Sequence, residues 1–367
     1  MNLIENIQST LLMGPGPSCV HPATYHALSR PTLGHMDPYF ISIMDEVKAN
    51  LRLLFGTSNA MTIPVSGTGS AGMETAFVNL VEPGDAVLIL INGVFGMRMA
   101  DVAERLGAQT DILEFEWGTP VIPEAVEARL KMKKYKIIAV VHAETSTGVC
   151  NPVAEIGNMI VEDSLYIVDT VTSLGGIPVE IDRWKVDVTY SGSQKCLSCP
   201  PGVSPVSFSE KAMNALKKRD KKVPNWYLDI NLLTKYWEGN SRVYHHTAPI
   251  NMLYALYQSL RNILDEGKEN VFKRHSDVHY ALVNGLDEIG FKMLVKEQFR
   301  LPMLNAVVVP SGMNEVLVRS KLLNEFRIEI GAGLGPLAGK IIRIGLMGHT
   351  ARTENVTRLL DALKAIL

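Results

Sequence analysis

Between Met61 and Phe208, short apolar runs take turns with amphipathic stretches, and this alternation restricts the fold more than any other feature of the chain. Strands are read at Met61–Val65, Ala86–Ile91, Thr110–Phe115, Ile137–Val141, Leu165–Val168, Val186–Tyr190 and Val203–Phe208. Helices are read between them at Ser70–Leu80, Phe95–Leu106, Ile122–Met132 and Val153–Ile160. Such alternation predicts an α/β fold with a mostly parallel sheet covered by helices. In that architecture ligands bind at the carboxyl ends of the strands, so the residues just after each strand carry the chemistry.

The flanks read differently. Apolar residues at helical spacing from Phe40 to Phe55 predict an amphipathic helix ahead of the alternation. Past Pro224 the texture changes: an aromatic-rich stretch from Trp226 to Trp237 and a polar loop, Glu238 to Thr247, precede a helix at Ile250–Leu264. A helix at Lys268–Glu288, strands near Phe291, Ala306, Ile328 and Ile341, and a closing helix at Thr353–Ile366 then suggest a smaller α+β domain. The expected division is an N-terminal arm at 1–12, a large domain at 13–265 and a small C-terminal domain at 266–367.

Composition excludes several partners. The formal net charge of −2 comes from 36 basic and 38 acidic residues spread along the chain, so neither a nucleic-acid stripe nor a polybasic membrane patch is present. No apolar run approaches the roughly 20 residues a spanning helix needs. Four cysteines in 367 residues do not make a disulfide framework. Without a basic and apolar leader or a peroxisomal C-terminus, a cytoplasmic location is the expectation. Cys196-Leu-Ser-Cys199 lacks a second pair at ligand spacing, so it predicts no metal site.

At the strand ends, Val186-Asp-Val-Thr-Tyr-Ser-Gly-Ser-Gln-Lys195 delivers a single lysine from a small-residue turn, and Leu165-Tyr-Ile-Val-Asp169 delivers a carboxylate. A poorly solvated lysine loses its proton readily, which Schiff-base chemistry requires. Ser66-Gly-Thr-Gly-Ser-Ala-Gly72 follows a strand and opens a helix, the setting of a phosphate site. Its Gly67-x-Gly69-x-x-Gly72 spacing also matches a dinucleotide loop, but Asn92 stands where a ribose-binding acid belongs. Asn92-Gly-Val-Phe-Gly96 adds an aromatic ring and Ala143-Glu-Thr-Ser-Thr-Gly148 adds hydroxyls. Phosphate cradle, flat ring, hydroxyls, acid and amine are together the inventory that pyridoxal phosphate needs. Met13-Gly-Pro-Gly-Pro-Ser18 is a rigid turn, suited either to close approach to a ligand or to crossing between domains.

The chain resembles the class V, fold-type I aminotransferases, and within them the alanine–glyoxylate and serine–pyruvate group, over nearly its whole length. The resemblance is carried by Gly14-Pro-Gly-Pro-Ser18, Ser66-Gly-Thr-Gly69, Glu144-Thr-Ser-Thr-Gly148, Val168-Asp169, Ser191-Gly-Ser-Gln-Lys195, Pro200-Pro-Gly202, Tyr244-His-His-Thr247, Gly333-Leu-Gly-Pro336 and Arg343-Ile-Gly345. It implies that Lys195 is the Schiff-base lysine of a pyridoxal 5′-phosphate enzyme and Asp169 the partner of the pyridine nitrogen. Phe95 would stack on the ring, where relatives often have Trp, and Thr145 would lie near the ring oxygen. Thr68, Gly69, Ser70 and Gln194 would hold the phosphate, with Tyr244 and Thr247 arriving from the second subunit of a homodimer. Arg343 would clamp a substrate carboxylate with help from Gly16, while His35 and Met36 would limit side-chain volume. The substrates implied are a small amino acid and a 2-keto acid. A lyase, a cysteine desulfurase and a ureidoglycine–glyoxylate aminotransferase are alternatives on the same fold.

Overall fold

The computed structural model describes residues 2–239 and 241–367. Its first part runs β1 (Leu11–Leu12), α1 (Pro22–Leu28), α2 (Pro38–Phe55), β2 (Met61–Ser66), α3 (Gly69–Leu80), β3 (Ala86–Ile91), α4 (Val94–Arg105) and β4 (Gln109–Glu114). Next come α5 (Pro123–Met132), β5 (Ile137–Val141), a hairpin of β6 (Ala143–Glu144) and β7 (Val149–Cys150), α6 (Val153–Gly157) and β8 (Leu165–Asp169). Then follow β9 (Val188–Tyr190), β10 (Val203–Phe208), α7 (Glu210–Lys217), α8 (Ile230–Trp237) and α9 (Ile250–Glu266). The last part holds α10 (Lys268–Glu288), β11 (Lys292–Met293), β12 (Leu304–Val308), α11 (Glu315–Phe326), β13 (Ile328–Glu329), β14 (Gly331–Ala332), β15 (Ile341–Gly345) and α12 (Thr353–Ile366).

Seven strands form the main sheet in the order β2-β10-β9-β8-β5-β3-β4. Only β10 runs antiparallel to its neighbours, β2 and β9. Strands β3, β5 and β8 are apolar almost throughout because helices cover both faces, and β5 and β8 are buried at every position. The edge strand β4 is largely exposed. Chain order reverses between β3 and β5: β3 leads outward to β4, whereas β5 leads the other way to β8 and β9. At such a reversal an open α/β sheet leaves a crevice, and the segments after the parallel strands β3, β5, β8 and β9 all lie at that end of the sheet.

A large core spans Phe40 to Val271, and a second one joins α10, α11, α12 and the small sheet β11-β12-β15-β14. The sequence reading set residues 1–12 aside as an arm, but Leu11 and Leu12 pair in parallel with Ile328 and Glu329. Leu11 and Met13 thereby enter the second core. Two apolar side chains beside an unpaired strand edge account for this: the pairing satisfies main-chain groups and buries both. The N-terminal segment thus crosses from the small sheet to the crevice of the large one.

Candidate active site

Lys195 follows β9 in a turn that is tied down at several points. Ser193 Oγ donates to Pro200 O at 2.7 Å and Ser191 Oγ to Thr170 O at 3.1 Å. Ser18, on the segment that follows β1, donates its N–H to Gln194 O at 2.9 Å and its hydroxyl to Lys195 O at 2.7 Å. The lysine is 9% exposed and its amine donates to the Pro15 carbonyl. Burial, aided by the nearby Arg343 charge, brings its pKa down to about 8. An amine so placed is deprotonated at little cost, which a nucleophilic lysine requires. Gly16 lies against it with φ +102°, and a Cβ there would stand 2.6 Å from Lys195 Nζ. Glycine is needed at this position for conformation and for space alike.

Asp169 ends β8, the neighbour of β9, and is 3% exposed. Its Oδ1 accepts the Val171 N–H at 2.7 Å, yet burial pushes its pKa up to about 7. A carboxyl whose pKa is raised in the fold stabilises the fold as its neutral acid; that stabilisation is lost as pH climbs from 3.8 through about 7. Asp169→Asn, which stays neutral, should therefore make the ligand-free protein about 2–4 kcal/mol more stable at pH 8. At pH 4 it should leave stability unchanged. Thermal unfolding at the two pH values checks this, and equal effects at both would contradict it.

Between β2 and α3 the chain turns at Gly67, whose φ is +127°. Thr68 is the N-cap of α3, but its side chain makes no capping bond, so the first-turn N–H groups of Gly69 and Ser70 stay open to an anion. Thr68 and Ser70 are exposed and Gly69 is buried. Gln194 Oε1 is, among the described residues, a buried polar atom without a hydrogen-bond partner, and the Tyr190 hydroxyl, also without one at ordinary bonding geometry, faces Asp169 and helps hold its carboxyl ionised. A buried polar atom costs about 1–3 kcal/mol when left unpaired, so Gln194 fits a polar ligand rather than an apolar one.

On the far side of the crevice, Phe95 opens α4 half-buried, with the Arg98 guanidinium 5.0 Å from the centre of its ring. Thr145 is buried in the β6–β7 turn, and its carbonyl accepts from Arg343 Nη1 at 3.1 Å. Arg343 Nε donates to Ala332 O at 2.7 Å. Periodicity alone reads Ile-Ile-Arg-Ile-Gly as an exposed edge strand, but β15 is an inner strand between β12 and β14, and Arg343 is 6% exposed. Burial lowers its pKa to about 10, so it remains a cation at neutral pH. No carboxylate pairs with it among the described residues.

Tyr244, Thr247, His35 and Met36 gather elsewhere. The His35 and Tyr244 rings lie 4.8 Å apart, and the Tyr244 hydroxyl is 3.4 Å from Thr247 Oγ1. Tyr244 is 55% exposed, and Thr247 and Met36 are exposed as well. Among the described residues, no hydrogen bond, ion pair or ring contact within the chain joins this group to Lys195, Asp169 or Arg343. Four other contributors escaped the sequence reading. Pro15 holds the lysine through its carbonyl and Ser18 through its N–H and hydroxyl, Tyr190 sets its hydroxyl against Asp169, and Glu144 is fully buried where it accepts the Phe95 N–H. A buried Glu inside a motif of hydroxyls was the one available signal.

The geometry has a counterpart among known proteins. The family model for aminotransferase class-V matches residues 22–359. The chain belongs to the class-V aminotransferases. It is 42% identical to an alanine–glyoxylate aminotransferase of Rattus norvegicus over 366 residues, covering 99% of this chain and 88% of the relative. It is 40% identical to an (S)-ureidoglycine–glyoxylate transaminase of Bacillus subtilis (strain 168), over 97% of this chain and 90% of that one. A crystal structure of an alanine–glyoxylate aminotransferase from Nostoc sp. superposes with a TM-score of 0.97 at 47% identity, covering 98% of this chain and 96% of that one. This aminotransferase therefore has the fold-type I architecture.

Proposed function

We propose that this aminotransferase uses pyridoxal 5′-phosphate to move an amino group from a small amino acid, alanine or serine, to glyoxylate or pyruvate. The observation that carries this reading is Arg343: a buried cation bonded only to main-chain carbonyls, close enough to Lys195 for their charges to interact. A guanidinium in that state suits the planar carboxylate common to amino and keto acids. Among the described residues, the other cations with buried side chains besides Lys195 are already engaged, Lys48 with Trp237 O and Arg242 with Asp45, so neither leaves a second clamp for a side-chain carboxylate.

Thr68, Gly69, Ser70 and Gln194 would hold the phosphate, Phe95 and Thr145 would flank the ring, and Asp169 would face the ring nitrogen. Bound there, the cofactor supplies an aldehyde for amines and a ring that accepts the electron pair released at the substrate Cα. Lys195 provides the amine that holds it and then carries the proton to and from the substrate Cα. Asp169, whose burial favours its neutral form, gains a cationic partner when the ring nitrogen is protonated, and this keeps it ionised. Arg343 orients the carboxylate, and the Gly16 main chain allows it close approach.

The grouping of His35, Met36, Tyr244 and Thr247 away from Lys195 supports a homodimer in which each chain completes the other's site. Sedimentation at assay concentration should show an obligate dimer, and a fully active monomer would remove the composite site from the account. The four cysteines as free thiols suit a reducing compartment, the cytoplasm. Among the described residues no helix is long and apolar enough to cross a membrane.

A ureidoglycine donor is the second reading, favoured by 40% identity to the Bacillus subtilis transaminase and by the His35 ring, which offers a hydrogen bond to a ureido group. A desulfurase reading loses ground because Cys196 donates to Thr172 O at 3.2 Å and burial pushes its thiol up to about 12. Half-reactions with alanine, serine, ureidoglycine, glutamate, aspartate and cysteine, followed spectroscopically, test the choice. Fast conversion with alanine or serine, reversed by glyoxylate, is expected. Turnover with glutamate and 2-oxoglutarate but not with alanine would overturn the assignment, and elemental sulfur from cysteine would move it to the desulfurases.

A further inference from the structure

Helix α4 has no cap of its own, since its N-cap residue is Gly93. The cap comes instead from the β6–β7 hairpin. Glu144, 0% exposed, accepts the Phe95 N–H on Oε2 at 3.2 Å. Its Oε1 accepts the Ser146 N–H at 3.0 Å and the Ser146 hydroxyl at 2.6 Å, while Ser146 Oγ in turn accepts the Val94 N–H at 3.0 Å. The two side chains thus satisfy the first turn of α4 from the β6–β7 hairpin; burial raises the Glu144 pKa, the donors of Ser146, Gly96 and Phe95 oppose that, and the positive end of the helix favours the carboxylate. Gly93 is the mark of this arrangement in the sequence. Its φ of 176° is open to any residue, but a Cβ there would collide with Glu144 Cδ and Ser146 Oγ. Space for the carboxylate, and not backbone freedom, requires the glycine.

The same hairpin reaches the substrate side. Thr145, next to Glu144, holds Arg343 Nη1 through its carbonyl. From these contacts we infer that Glu144 is a positioning residue, which aims Phe95 by capping α4 and serves as the standing counter-charge of Arg343. The inference deepens the proposed function and rests on it for the parts played by Phe95 and Arg343. The charge of Glu144 also favours the protonated form of Arg343, in keeping with that role. Glu144 makes no ion pair with the guanidinium and acts on it through space; a substrate carboxylate competes with it.

Charge and reach separate in two variants. Glu144→Gln keeps length and loses charge, while Glu144→Asp keeps charge and loses the reach to Phe95. Hydrogen exchange at the Phe95 amide, measured on the cofactor-free protein, should be about tenfold faster in both, and affinity for pyridoxal 5′-phosphate by equilibrium dialysis should fall about tenfold in both. The KM for glyoxylate should drop about threefold or more in Glu144→Gln, because Arg343 is no longer opposed, and stay near the parent value in Glu144→Asp. Ser146→Ala, which leaves the carboxylate in place, should speed exchange at Val94 without moving that KM, and with Glu144→Asp it carries the test should Glu144→Gln fail to fold. Unchanged Phe95 exchange in either Glu144 variant, or a KM that moves alike in both, overturns the inference. A parent protein without affinity for the cofactor overturns the proposed function and not the cap, which the exchange rates decide alone.

Discussion

Lys195→Ala should leave a folded protein that binds pyridoxal 5′-phosphate weakly, never fixes it covalently and transaminates roughly 10⁴-fold more slowly or worse; loss of a general acid–base group alone is worth about 10²–10⁴. The fold survives because the turn is held through main-chain and hydroxyl groups: Ser18 Oγ to Lys195 O, Ser193 Oγ to Pro200 O and Ser191 Oγ to Thr170 O all remain. The phosphate cradle at Thr68, Gly69 and Ser70 lies on another element and is untouched. Stability should even gain below about pH 8. A lysine whose pKa falls from 10.5 to about 8 in the fold costs stability that builds as pH drops from 10.5 and is complete below about 8, and removing it abolishes that loss. Absorbance, cofactor retention on gel filtration and single-turnover rates measure the three parts separately. Near-normal covalent attachment in the variant would place the reactive amine elsewhere.

Arg343→Ala has the second largest expected effect. Removing a buried clamp leaves the substrate carboxylate without a partner, a loss of about 2–5 kcal/mol in kcat/KM for amino acid and keto acid alike. Arg343→Lys should recover only part of it, because an ammonium keeps the charge but not the two-pronged fork. The guanidinium also ties β14 and the β6–β7 turn together through Ala332 O and Thr145 O, so the Ala variant should lose some thermal stability too. The diagnostic is symmetry between the half-reactions. A variant that loses amino-acid turnover but keeps keto-acid turnover would mean that Arg343 does not bind the group the two substrates share.

The site was legible where its chemistry sits on elements whose pattern is local. Strands β3 and β5 begin and end where the apolar runs do, because a parallel strand buried on both faces has no polar positions to blur its limits. Asp169 and Lys195 could be read from the ends of such strands. Arg343 could not be read from periodicity, since its burial depends on β12 and β14 flanking β15, and those pairings are long-range. Glu144 escaped for the same reason: the Phe95 N–H it accepts lies 49 residues upstream. Helices α1 and α7, of 7 and 8 residues, are too short for a clear helical period, and α11 buries only Glu315, Val318 and Leu322. β1 pairs with a strand more than 300 residues away, a match that two leucines cannot announce.

The central claim is that one buried lysine at the crevice of the large sheet carries the cofactor. Borohydride reduction of the protein loaded with pyridoxal 5′-phosphate, followed by proteolysis and mass mapping, tests it directly. The account predicts a single reduced adduct, on the peptide containing Lys195, that is absent from Lys195→Ala. An adduct on any other lysine, or none at all in a protein that transaminates, would contradict it.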